Sequence, residues 1–311
     1  MKTCIINIFI ILAVLSGGEL YSQPTLAERL GFEKDAKLLI IHADDAGMCN
    51  SQNMAIVAAL KLGAISSTSI MMPSHWSDAF IKWAVQHPNF DVGIHLTLTS
   101  EWDSYRWDGV LPADKIPSLL DKEGYFPRTT EEVVKQGDLK EVEAELRAQI
   151  DRAIALGIKP THLDSHMATT LSRPDLVHLF LKLGKLYQIP VLFSRYMANK
   201  YNLLQDEKYK DVLFLDNLVF LRGLPPEKWD EEYGKIFKEL KPGLNQVILH
   251  PAYNNAELQA VLINHSNSGS VWRQRDYDFV TSKSIQLMIK ENNIHVITWG
   301  EIQKVLFEKT N

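Results

Sequence analysis

The sequence predicts an α/β protein in which a largely parallel sheet or barrel carries its helices on the outside. Three observations predict it. Short runs rich in β-branched and apolar residues alternate with capped, helix-like segments, the rhythm of parallel βα units. No repeat, low-complexity tract or Ser/Gly linker divides the 311 residues, which read as one domain. Polar residues collect where the β-like runs end, the rim on which β/α barrels build their active sites.

Taken in order, the strands expected are "KLLIIHA", "ISSTSIMM", "DVGIHLTL", "THLDSH", "PVLFSR", "QVILHP" and "HVITWG". Asn50 or Ser51 caps a helix that runs through Met54, Val57, Ala58 and Leu60 and stops at Gly63. Asp138 with Glu141 resembles a capping box for a helix through Ile150 and Ile154 to Gly157. Ser172 opens another, with Pro174 in its first turn, through Leu176, Leu179, Phe180 and Leu183, and a last helix follows Trp299. After the third strand comes a long irregular region, about Ser100 to Gly137, rich in Trp, Asp, Pro and Gly. Loops of that length in compact domains usually act as lids or binding loops.

Composition narrows the class. A hydrophobic content of 46% suffices for a sizeable core, and a net charge of −5 offers no electrostatic footprint for nucleic acid. Met1 and Lys2 precede the apolar "CIINIFIILAVLSGG" and then "ELYSQ", with the small Ser22 at a cleavage position. Residues 1–22 read as a signal peptide and 23–311 as the mature domain, exported to the periplasm or the medium, with no stable membrane span after processing. The apolar run is shorter than the roughly 20 residues that cross a bilayer. Beyond it Cys49 is the only cysteine, so no internal disulfide forms, and it is given no role.

The strand ends carry the chemistry. Asp44 and Asp45 close the first strand, His95 lies late in the third, Asp164 and His166 end the fourth, Ser194 and Arg195 the fifth and His250 the sixth. Two adjacent carboxylates at the mouth of a core resist ionising together unless a cation lies between them. Asp45, His95 and His166 make an Asp-His-His set suited to Zn²⁺ or another first-row divalent ion, with positions left for water and substrate. Asp44 then stays outside the metal's ligand set as general base. The plainer alternative is that "DD" caps a helix and the histidines are core residues. His42, His75, His87, His162, His178, His265 and His295 are assigned to that plainer class.

At these residues the chain resembles the YdjC-like carbohydrate deacetylases, a group that includes the chitooligosaccharide deacetylases and relates distantly to the NodB-type polysaccharide deacetylases. The matching segments are "HADDAGMCNSQNMAIVAALKLGAISSTSIMM", "DVGIHLTLT", "KEGYF", "ELRAQIDRAIALGIKPTHLDSH", "ILHPAY" and the "RQRDYDF…IHVITWGEI" tail, in the family's order across nearly all the mature chain. The resemblance implies a distorted β/α (TIM-like) barrel and one divalent ion, Mg²⁺ or Zn²⁺, on Asp45, His95 and His166. It implies Asp44 as general base toward an acetamide carbonyl and His250 as general acid to the leaving amine, with an N-acetylated carbohydrate as substrate. Asp164 either orients a histidine from behind or caps a loop. Two positions depart from the family: Ala168, where many members have a further histidine, and Ala46, where an aromatic is usual, a change that enlarges the pocket.

Trp102, Tyr105 and Trp107 in "TSEWDSYRWDG" suit a sugar's C–H face, or else pin the loop to the barrel. Arg273 or Arg275 contacts substrate, or pairs with Asp276 or Asp278 on the surface. Two rival functions stand beside the deacetylase. One is a metal-independent glycosidase pairing Asp44 or Asp45 with Asp164. The other is a sugar-binding protein without turnover. Nothing in the sequence names the sugar, its length or an oligomeric state.

Overall fold

A computed structural model describes residues 24–221, 224–265 and 269–307; the expected signal peptide lies outside them. Among the described residues seven strands form: β1 Lys37–Ala46, β2 Ser67–Ile70, β3 Val92–Leu96, β4 Leu163–Ser165, β5 Asn217–Val219, β6 Gly243–Leu249 and β7 Ile294–Val296. All pair in parallel, in the order β4-β3-β2-β1-β6-β5. β6 follows β1 from Lys37 to Ala43, so the other edge of β1 is shared, with β7 at Lys37–Leu39 and β2 from His42 onward.

One expected strand is not a strand. "PVLFSR" makes only two isolated parallel bridges, Val191 to Leu163 and Ser194 to Leu215. Pro190 has no N–H to donate, and Ser194 caps the short helix Arg195–Lys200 by accepting the Met197 N–H. Those bridges still carry the wall from β4 round to the chain entering β5, so a curled sheet is drawn into a distorted β/α barrel. β5 itself was not foreseen, because Asp216 and Asn217 interrupt its apolar run.

Period-two alternation sorts β1 onto two faces. Leu39, Ile41 and Ala43 join the large core under the helices, whereas Leu38 and Ile40 pack inside with Leu192, Leu215, Leu244, Trp299 and Ile302. The inward column continues upward as His42 and then Asp44. It is apolar at the bottom and polar at the top.

The helix caps are more long-range than expected. Cys49, not Asn50 or Ser51, is the N-cap of Asn50–Lys61 and makes no side-chain cap bond. The carboxylate of Glu257 does that work, accepting the N–H groups of Asn50 at 3.1 Å and Ser51 at 2.8 Å. Asp138 caps Leu139–Ala155, but the carboxylate of Glu141 accepts the Ser118 N–H at 2.7 Å instead of closing the box. The helix expected from Ser172 begins at Pro174, with Arg173 as its cap.

The region 100–137 is internally bonded. It contains two short 3-10 turns and the helix Thr130–Gln136. Buried Arg106 donates to Ser100 Oγ, to Asp121 at 2.7 Å and to the Phe126 carbonyl at 2.7 Å. Wholly buried Trp107 donates its Nε1–H to the Thr99 carbonyl at 2.8 Å, and Tyr105 its O–H to the Met48 carbonyl at 2.7 Å. These bonds join the region to the barrel as part of its wall. No helix among the described residues is long and apolar enough to cross a membrane.

Candidate active site

Adjacent strand residues normally face opposite sides, yet Asp44 and Asp45 reach the same cavity. Asp45 has φ of 65°, and the β1–β2 register shifts between Ala43 and Ala46. That left-handed residue turns a second carboxylate inward, a strained conformation of the kind that gathers at functional sites. Gly47, two residues on at φ +90°, is where a Cβ would stand 3.0 Å from the Ser77 backbone.

β3 and β4 deliver the two imidazoles. Asp45 Oδ1 lies 3.4 Å from His95 Nε2 and 3.4 Å from His166 Nδ1, and those nitrogens are 3.2 Å apart. The far nitrogen of each ring is already bound: His95 Nδ1 to Asp164 Oδ1 at 2.8 Å, and His166 Nε2 to Glu101 Oε2 at 3.0 Å. With those two N–H groups directed outward, three acceptor atoms face one point with no proton among them. Asp45 Oδ1 is buried with no hydrogen-bond partner. A cation is the group that satisfies all three. A tetrahedral ion with ligands near 2.0–2.1 Å separates them by about 3.3 Å, close to the spacing found. The residues therefore fit a divalent metal.

Electrostatics agree with a centre built for positive charge. Burial alone would raise Asp45, but Arg273 at 2.8 Å from its Oδ2, with His166 and His95, holds the carboxyl well below its usual range. Burial alone would lower His166, yet Glu101 and Asp45 carry it up to about 9. Without an ion, a proton takes the ion's place.

Asp44 Oδ2 lies 3.8 Å from His95 Nε2 and 3.7 Å from His250 Nε2, so it stands between the triangle and His250. His250 follows β6 directly, its backbone N–H donating to Asp276 Oδ2 at 2.6 Å. Its ring lies against Phe220 and Trp272, centroids 5.4 Å and 5.2 Å away. Burial lowers His250 to about 4 and pushes the Asp276 carboxyl up to about 8.

A cavity of about 640 Å³ opens over these groups. Glu101, Trp102, Arg128 and Thr129 form one wall, and Leu192, Leu218, Phe220, Ile248 and Trp272 the other. Of the three aromatics considered for sugar contact, only Trp102 lines it; Tyr105 and Trp107 are the loop's own anchors. Of the two arginines, Arg273 lines it and Arg275 does not. Arg273 pairs with Asp45, not with a surface acid, and also donates to Gln52 Oε1 at 2.8 Å. Ala168 lines the cavity, next to Met167, both at positive φ, whereas Ala46 is packed in the core and does not line it.

Sequence reasoning missed three residues here. Glu101 sits just past the third strand, where an acid beside two strand-end histidines was the available signal. His265 lines the cavity edge-on to Trp102, and His42 lies in the inward column directly below Asp44. Cys49 is buried, and burial pushes its thiol up to about 11.

Fold and site together define a class, a parallel β/α barrel with a buried carboxylate and two imidazoles converging at the floor of a cavity. Residues 38–291 match the YdjC-like protein family, and the chain belongs to that family. It is 33% identical over 294 residues to a carbohydrate deacetylase of Thermus thermophilus, covering 91% of this chain and 99% of that one. It is 32% identical over 173 residues to a chitooligosaccharide deacetylase of Yersinia pestis, covering 55% of this chain and 64% of that one. A solved structure from Enterococcus faecalis, described as a cellobiose-phosphate cleavage protein, superposes with a TM-score of 0.72 at 26% identity, covering 86% of this chain and 99% of that one.

Proposed function

We propose that the protein is a metal-dependent deacetylase that hydrolyses the N-acetyl groups of amino-sugar oligosaccharides. The observation that carries this is the meeting of Asp45 Oδ1, His95 Nε2 and His166 Nδ1 within 3.2–3.4 Å, beside a carboxylate and a further histidine. The names of the relatives support the substrate class. A divalent ion, zinc or magnesium, supplies there the positive charge that acidifies water and polarises the amide carbonyl.

The chain's own groups do the rest. Asp164 and Glu101 fix His95 and His166 in the tautomers that turn lone pairs toward Asp45. Asp44 takes the proton of the attacking water. His250 is neutral in the resting site at pH 7, so the proton it gives the leaving amine is one gained during the cycle. Asp44, 3.7 Å away, is the nearest source. Trp102 offers an aromatic face and Arg128 and Thr129 polar groups along the wall a sugar meets. The glycosidase reading fits less well, because both oxygens of Asp164 are occupied, by His95 on one side and by His42 and Ser69 on the other. Export with cleavage after Ser22 completes the proposal, and amino-terminal sequencing of the secreted form tests it.

The test of function is acetate release from a panel of N-acetylated amino-sugar oligomers, after chelation and after restoring single metals. Release that returns with one metal is expected. Release indifferent to chelation, with new reducing ends, would favour the glycosidase; binding without turnover would favour the sugar-binding protein.

A further inference from the structure

We infer that His42 is a fixed imidazolium, a positioning residue that joins the carboxylate of Asp44 to that of Asp164 and so aligns the base with the metal ligand His95. The inference rests on the deacetylase reading for its kinetic consequence alone.

His42 is fully buried in the inward column of β1, one strand period below Asp44. Its Nε2 lies 3.0 Å from Asp164 Oδ2, 3.1 Å from Asp44 Oδ1 and 3.1 Å from Ser69 Oγ. Its Nδ1 lies 3.1 Å from Ser67 Oγ. Both serine protons are committed elsewhere: Ser69 donates to Asp164 Oδ2 at 2.7 Å and Ser67 to Asp91 Oδ1 at 2.6 Å. Each ring nitrogen of His42 therefore faces acceptors only. Both must donate, and an imidazole that donates twice carries a charge.

The neighbours agree with that charge. Burial raises the Asp91 carboxyl to about 6, against the bonds it accepts from Ser67, from Thr161 Oγ1 at 3.0 Å and from the Gly300 N–H at 2.5 Å at the amino end of the helix Trp299–Phe307, so at pH 7 it is the anion. His162 meets His42 edge-on, centroids 4.9 Å apart, and is driven well below its usual range by burial and by the His42 charge. Burial alone would lower His42, but Asp164 and Asp44 carry it up to about 9. Three carboxylates, Asp44, Asp45 and Asp164, crowd one site. Arg273 answers Asp45, and His42 answers the other two. Buried carboxylates left without a counter-charge would not hold a fixed geometry.

A neutral His42 requires the proton on one of its neighbours instead, on Asp164 or Asp44 facing Nε2 or on Asp91 with the hydrogen bond passed back through Ser67, and in each case one ring nitrogen is bare, so the two states differ at an observable atom. Imidazole ¹⁵N NMR of the full protein at pH 7, zinc-loaded and again chelated, is expected to show both His42 nitrogens protonated in each. One unprotonated His42 nitrogen would overturn the inference, with or without any turnover. In the kinetic arm, His42→Gln keeps a donor near Nε2 without the charge. Its kcat is expected to fall about 10–100-fold, with KM and zinc content within twofold of the parent. An unchanged kcat, or zinc lost along with turnover, would overturn the positioning role. If the parent protein releases no acetate from any sugar, the deacetylase reading fails, and the NMR arm still decides the state of His42.

Discussion

From β1 to β4 the barrel wall is a continuous parallel ladder, and every proposed metal ligand sits on or just beyond it, as do Asp164 and Glu101 behind the two imidazoles. From residue 190 to β5 the wall is held by two isolated bridges and a three-residue strand, and what it presents to the cavity is aliphatic and aromatic. The difference follows from what each side must do. Converging ligands need positions true to a few tenths of an ångström, which regular strands with locked side chains provide. A surface that only covers a substrate tolerates irregular backbone and gains from exposed apolar groups such as Leu218 and Phe220.

The contrast can be broken from the ladder side first. His166→Ala is expected to bring both bound metal and acetate release to background, read by elemental analysis alongside the assay. Asp44→Asn should separate the two: metal content unchanged, kcat down about 10²–10⁴-fold. Full activity in either variant would remove the assignment. Glu101→Gln keeps the shape but weakens the acceptor behind His166, and metal affinity, measured by competition with a chelator, should fall about 10–100-fold.

On the irregular side the effects are smaller and of another kind. Leu218→Ala should raise KM about threefold while kcat and metal content hold, since Leu218 offers the cavity only exposed apolar surface. A fall in kcat without a change in KM would place Leu218 in the chemistry and blur the contrast. The last effect is on stability and leaves turnover aside. Asp276 has its folded pKa raised to about 8 by burial, against about 4 for an unfolded aspartate. The folded state then holds a proton that the unfolded state releases, so its contribution is full below about pH 4 and is lost as pH rises toward about 8, by at most about 1.4 kcal/mol per unit. In chelated protein, Asp276→Asn should flatten that decline in Tm between pH 5 and 8 while its side-chain oxygen still accepts the His250 N–H.

Asp45, His95, His166, Asp44 and His250 were legible because strand ends are readable from local apolar runs, and donor residues at several ends point to one rim. Asp164 was half legible, as either an orienting group or a cap; its bond to His95 fits the first. Arg273 was named but not its partner, Asp45, which is 228 residues away in the chain. The Glu257 cap and the Glu101 contact escaped for the same reason. His42 escaped for a different one: an isolated strand histidine is ordinarily a core residue, and only the inward register shared with Leu38, Ile40 and Asp44 distinguishes it.

The sequence by itself determined the βα alternation, the polar upper ends of the strands and the residue types able to hold a metal, because periodicity and side-chain chemistry are local properties. Tertiary structure alone decided which atoms meet. The left-handed turn at Asp45, the stagger of β3 and β4 against β1, and the carboxylates behind each imidazole set separations of about 3 Å. Such distances depend on how distant segments pack, and no local pattern encodes them.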